Sequence, residues 1–289
     1  MATRTALRRS AVLGVLAIAL VWTGACNHEP ALLRQTKKVG LVNNIQHELL
    51  ESVDAEKSAV LAITDEESKD FAEQSRRSAA KIDELRANLA ELIQIDPVRD
   101  EGEKLDAFDA KWKELKAIDA RLLDLAVANT NLKASRLLAR EGSAILDRFT
   151  TAVDTMSAST DDVAAVRALA TTATAVARIQ SLLFVHIPEA SDAEMTALEA
   201  RIRTLGETVD AQLKTGTAPL PASASKADAM QAWADYQRME AEVIRLSRLN
   251  TNVISFDVST HEKRTATQAC LDALAGLRDS IQGGPHATR

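Results

Sequence analysis

The chain has 289 residues, 46% hydrophobic and 26% charged, the balance of a soluble globular protein long enough for one large or two ordinary domains. With ten Gly, six Pro and 3% aromatics it is poorly supplied for sheets and their turns, so an all-α fold is expected. The net charge of −6 makes nucleic acid an unsuitable partner.

Residues 1–25 are set apart from the fold. Arg4, Arg8 and Arg9 precede the uncharged run "AVLGVLAIALVW", and the small residues "TGA" precede Cys26, which together read as an export signal. Removing those three Arg from 35 basic residues leaves 32 against 41 acidic ones, a mature charge near −9. Gly24, Ala25 and Cys26 match a bacterial lipobox, with Thr23 where Leu is commonest, so Cys26 is the expected lipid attachment site. Ordinary signal cleavage after "TGA", or an uncleaved N-terminal anchor, are the alternatives. The expected location is the periplasmic side of a bacterial envelope, with residues 26–37 as a tether.

Along the remaining chain, apolar residues recur at three and four, the helical period. The second helix shows Phe71, Ser75, Ser78, Ile82, Leu85, Leu89 and Leu92; the third shows Phe108, Trp112, Leu115, Ile118, Leu122 and Leu125. The sixth shows Met195, Leu198, Ile202, Leu205, Val209 and Leu213. Thr64 with Glu67, and Ser191 with Glu194, form capping boxes. Asp96 and Pro97 read as a cap and first helical residue, and Ser225 with Asp228 as a cap after the loop 215–228. Eight helices follow, near 33–63, 65–94, 97–128, 131–158, 160–187, 191–214, 225–249 and 252–282. Between the fourth and fifth, "MSASTDDV" (156–163) reads as a cap, although an apolar rhythm almost continues and would make one long helix joining two bundles.

One segment is written twice. "WKELKAIDARLLDLAVANTN" (Trp112–Asn131) and "WADYQRMEAEVIRLSRLNTN" (Trp233–Asn252) align without a gap at an offset of 121. Both close on Asn-Thr-Asn, where Asn tolerates the left-handed conformation and Thr or Asn can cap the next helix. "SVDAEKSAVLAITDEESKDFAEQSRRSAAKIDELRANLAELIQ" and "FDAKWKELKAIDARLLDLAVANTNLKAS" resemble the four-helix-bundle ligand-binding domain of methyl-accepting chemotaxis receptors. The likeness rests on the acidic-basic pair Glu56-Lys57, the acidic turn Asp65–Glu67, Trp112 opening helix three and Ala134 early in helix four. Residues 38–158 look like one such unit and 159–283 like a diverged second, with 284–289 as a tail. The resemblance implies two tandem up-down-up-down four-helix bundles, or one fused eight-helix body, sensing a small molecule or protein partner outside the cytoplasm. No ligand residue is carried over. Such receptors have a second membrane helix after the bundle, and "DSIQGGPHATR" contains no apolar run near the roughly 20 residues needed to span. Signalling through a partner is therefore expected.

No residue set here suggests catalysis, a metal or a cofactor. His28, His47, His186, His261 and His286 lack ligand spacing and read as solvated or capping; "HELLE" lacks the second His of a zinc helix. The carboxylates read as helix-surface charges, and Arg76, Arg77 and Arg121 as solvated. Trp112, Trp233 and Cys270 lie on apolar stripes and read as core. Ser75 and Ser78 read as bonding to the preceding turn, with a polar pocket as the alternative. The expected function is a non-catalytic sensor or binding lipoprotein, held to the membrane by its N-terminal lipid, with a small-molecule ligand or an envelope protein as partner. A structural envelope scaffold is the alternative, and a homodimer is left open.

Overall fold

The computed structural model describes residues 31–283 except Arg99; Cys26 and the export signal lie outside the described residues, as does the tail beyond Gly283. The fold is all-α, and no strand occurs among the described residues. Among the described residues eight helices are present: α1 (Ala31–Leu61), α2 (Asp65–Ile95), α3 (Glu101–Ala128), α4 (130–158), α5 (Val163–His186), α6 (192–216), α7 (Ala224–Leu249) and α8 (251–282). Helix α4 contains a π-helical turn at Leu138–Gly142, α6 ends in one at Gln212–Gly216, and α8 contains one at Ser259–Lys263. Residues 31–37, expected as tether, are the first two turns of α1.

Most boundaries follow from the caps. The Thr64 hydroxyl accepts from the Glu67 N–H and that of Ser191 from the Glu194 N–H, as the capping boxes require. The chain breaks between α4 and α5, where Asp162 Oδ1 accepts from the N–H groups of Ala164 and Ala165. Two expected caps are displaced. Helix α7 is capped by Ser223, which accepts from Lys226 N–H, and not by Ser225. Asp96 closes α2, and α3 starts only at Glu101, after Asp100 in the left-handed conformation (φ 66°). The reason is Lys38: its buried Nζ donates to Asp96 O at 2.7 Å and to Glu101 Oε2 at 2.6 Å, which ties the end of α2 to the start of α3.

The division of the chain into bundles differs from the order of the repeats. One core joins Ile45 and Leu49 of α1, Ile82 and Leu89 of α2, Phe108 and Leu115 of α3, and Cys270, Leu274 and Leu277 of α8. The other joins Leu138 and Phe149 of α4, Val176 and Ile179 of α5, Ile202 and Val209 of α6, and Trp233, Tyr236 and Val243 of α7. Each repeat thus contributes its first three helices to one bundle and its fourth to the other. The expected units 38–158 and 159–283 are corrected accordingly: the first bundle is α1–α3 with α8, and the second is α4–α7.

The two Asn-Thr-Asn motifs cause the exchange. Asn129 (φ 49°) and Asn250 (φ 50°) both turn left-handed between consecutive helices. The N–H groups that open α4 are then capped by the other motif. Thr130 N–H donates to Thr251 Oγ1 at 3.0 Å and Asn131 N–H to Asn252 Oδ1 at 3.2 Å. In return Thr251 N–H donates to Thr130 Oγ1 at 3.2 Å and Asn252 N–H to Asn131 Oδ1 at 3.1 Å. Asn131 Nδ2 also donates to Asn250 Oδ1 and to Ile187 O, fixing the α5–α6 turn. Small residues close the first bundle beside this waist. Ser52, Ala59, Ser68, Ala72 and Ser75 are all buried, and Ser75 Oγ donates to Ser52 O of α1 rather than to its own preceding turn.

Two measurements check this arrangement. Residues 130–249 alone hold the whole second bundle and are expected to unfold cooperatively in urea, whereas 38–158 alone should be non-cooperative. Thr130→Val and Thr251→Val should each cost about 1–2 kcal/mol. Because they share one set of caps, the double variant should depart from additivity by more than about 0.5 kcal/mol.

Candidate ligand-binding site

Three inward helix faces of the first bundle carry a charge where an apolar residue is expected. On α1, Glu56 falls between Leu49 and Ala59 on the buried stripe. On α3, Asp119 falls between Leu115 and Leu122, while the expected stripe residue Ile118 is only partly buried. On α8, the π-turn widens one helical turn by a residue and rotates the following positions, so Lys263 points inward and Glu262 outward. Exposures of 0% for Glu56, 7% for Asp119 and 1% for Lys263 place all three in the interior.

Lys263 Nζ lies 3.3 Å from Glu56 Oε2 and makes a closer ion pair with Asp119 Oδ1. The angles are poor, so Nζ, both Glu56 oxygens and Asp119 Oδ1 lack a well-formed hydrogen bond, as does Thr267 Oγ1 one turn further along α8. Burial pushes the Glu56 carboxyl above the ordinary carboxylate range, against the opposing pull of Lys263, and does the same to Asp119. Two carboxyl groups therefore share one ammonium in the interior.

A cavity of about 510 Å³ adjoins this cluster. Glu56, Ser259, Lys263 and Thr267 border its inner side, Leu50, Val53, Val60 and Phe256 supply apolar wall, and the exposed Lys57 and Arg264 stand at its mouth. A larger hollow of about 960 Å³ lies at the other end of the first bundle. Its buried cation, Lys38, is already bonded to Glu101 and Asp96, so it has less to offer a ligand.

The second bundle repeats the frame without the charge cluster. At the offset of 121, Lys263 corresponds to Gly142 and Asp119 to Glu240. A Cβ at Gly142 would meet Leu138 Cδ1 at 3.1 Å and Met239 Cε at 3.2 Å, so apolar groups fill the place of the lysine. Glu240 has no such cation, and burial pushes its carboxyl up to about 7. Below it on α7, Tyr236 is fully buried with its hydroxyl unpaired.

The two tryptophans are core residues in both copies. Trp112 Nε1 donates to Asp83 Oδ1 at 2.7 Å, and Trp233 Nε1 to Asp210 Oδ1 at 2.6 Å, so the repeat extends to the partner that satisfies each indole. Cys270 is buried and its thiol pushed up to about 12 by that burial, as fits core packing. His186 departs from expectation. Rather than being solvated, it is fully buried at the waist, with Nδ1 2.8 Å from Ser247 Oγ and Nε2 3.0 Å from Glu199 Oε1. His47 and His261 are exposed as expected, and His28 and His286 lie outside the described residues.

The site residues were not singled out from sequence, yet a signal exists. Lys263 lies seven residues before Cys270 on one stripe, and the α8 stripe steps by four three times in succession, through Thr251, Ser255, Ser259 and Lys263. That spacing overshoots an α-helix and is what a π-turn accommodates.

The fold is similar to the crystal structure of the V. parahaemolyticus histidine kinase sensor TorS sensor domain, with a TM-score of 0.50 over 88% of this chain and 98% of that one, at 10% sequence identity. The likeness is one of all-helical fold and does not single out the chemotaxis receptors. No protein-family model matches the chain. No curated protein matches it.

Glu240 offers a direct check of the electrostatics. Its folded value of about 7 lies above the roughly 4.3 of an unfolded glutamate, so the folded state holds the proton longer. Stability should therefore fall as pH rises from about 4.5 to about 7 and then level off. Glu240→Gln should remove that fall and stabilise the protein by about 1–2 kcal/mol at pH 8, a figure reduced for partial exposure. Urea melts at pH 5 and pH 8 measure it.

Proposed function

We propose that the chain is an extracytoplasmic helical sensor or binding protein, lipid-anchored through Cys26, non-catalytic, and dependent on a partner to pass its signal on. The observation that carries this reading is the Glu56–Asp119–Lys263 cluster beside a cavity in only one of two equivalent bundles. Buried ion clusters with poor hydrogen bonding are weak sources of stability, and apolar residues of similar volume often serve better. The second bundle, with Gly142 and Met239 at the equivalent place, is built without one. A ligand that completes those unpaired groups gives the cluster a purpose that packing does not.

The fold likeness to a histidine kinase sensor domain supports the sensing half of the reading and suggests the class of partner: a membrane kinase or chemotaxis receptor on the same face of the membrane. The rigid-spacer alternative is favoured by the reciprocal waist, which joins the two bundles end to end.

Thermal unfolding against a metabolite panel separates the two. A saturable rise in Tm that Glu56→Gln abolishes is the expected result, and a flat response across the panel would favour the spacer. For the anchor, wild type should label with a fatty-acid probe and sediment with membranes. Cys26→Ser should do neither, and an unlabelled wild type with a free Cys26 N-terminus would refute the lipidation.

A further inference from the structure

We infer that the cavity beside Lys263 takes a small zwitterion, with its ammonium end held inward by Glu56, its anionic end at Lys57 and Arg264, and a short carbon chain between. This rests on the reading of the site as a ligand-binding one and adds the chemistry of the ligand.

The inner end selects for a cation. Glu56 is wholly buried, and although Lys263 and the Ser259 hydroxyl lie within reach, neither gives its oxygens a well-aligned hydrogen bond. An ionised carboxylate only accepts, so the missing partner is a donor, and an ammonium supplies both the N–H groups and the charge. Lys263 does not fill that role for Glu56 alone, because it is drawn more closely to Asp119. Counted together, two carboxyl groups face one ammonium, so an entering ligand cation would pair with the carboxyl that Lys263 leaves less well matched and favour its ionised form. Ser259 and Thr267, also on the cavity wall, are hydroxyls able to take a further N–H.

The mouth selects for the opposite sign. Lys57 and Arg264 line the same cavity from α1 and α8, and both are exposed. Neither forms an ion pair among the contacts at the site, where the acidic neighbour Glu262 is taken by Arg121 at 2.6 Å. A simple alkylammonium would have to pass two cations to reach Glu56. A zwitterion would meet both ends with the right charge. Between them Leu50, Val53, Val60 and Phe256 present carbon, which suits a methylene chain better than a compact polar body.

The test uses the whole mature chain and three five-carbon probes: 5-aminopentanoate, pentylammonium and pentanoate. Isothermal titration at pH 7.5 should give saturable binding of 5-aminopentanoate, at least tenfold weaker binding of pentylammonium, and none of pentanoate. Glu56→Gln, which removes charge without changing size, should abolish binding of both amines while leaving Tm at or above that of wild type. Lys57→Ser with Arg264→Ser changes only exposed residues, and should erase the advantage of 5-aminopentanoate over pentylammonium. Pentanoate binding as well as the amines, binding unaffected by Glu56→Gln, or failure of all three probes would overturn the zwitterion assignment. If all three fail while the metabolite panel yields another ligand sensitive to Glu56→Gln, the site stands and only its ligand class falls. If the panel is silent as well, the sensor reading falls with it.

Discussion

The reciprocal capping of two Asn-Thr-Asn motifs is the constraint on which the rest of the molecule depends. A helix that starts after a left-handed Asn has N–H groups with no partner in its own chain segment. Here each motif supplies the acceptors for the other: Thr251 Oγ1 for Thr130, Thr130 Oγ1 for Thr251, and the Asn131 and Asn252 side chains in the same exchange. The two joints must therefore lie side by side, and α4 and α8 must leave that point in opposite senses, each entering the bundle of the other repeat. Neither bundle closes without a helix from the other half. The waist also gathers the turn between α5 and α6, held by Asn131 on Ile187 O and by Asn250 on Glu189 O, and the buried His186 beneath it.

Duplication then becomes a source of asymmetry. Both fourth helices carry a π-turn eight residues after the motif's central Thr, at Leu138–Gly142 and at Ser259–Lys263. Both third helices carry an acidic residue at the equivalent position, Asp119 and Glu240. The frame is the same, and one position decides the chemistry. Gly142 lets Met239 close the second bundle with carbon, while Lys263 turns the first into a buried ion cluster next to a cavity. The cluster and the caps sit on the same helix, since Thr251 opens α8 and Lys263 ends its π-turn. Occupation of the cavity between α1 and α8 would thus act on the helix that holds the two bundles together.

The sequence by itself determined the helices, their caps and the repeat. The period of apolar residues, Thr64 and Ser191 as caps, the break at Asp162 and the inward placing of Trp112, Trp233 and Cys270 are all local or near-local properties, set by backbone hydrogen bonding and by which face of a helix is apolar. The caps at Asp96 and Ser225 differ from the local pattern because Lys38, 58 residues from Asp96, holds the end of α2, and because Ser223 reaches the Lys226 N–H. Tertiary structure alone decided which four helices share a core, because the acceptors that cap Thr130 lie 121 residues away on Thr251. It alone also decided that Glu56, Asp119 and Lys263 meet. Each looks like an ordinary helix-surface charge within its own segment, and only the packing of α1, α3 and α8, with the register shift of a π-turn, removes all three from water together.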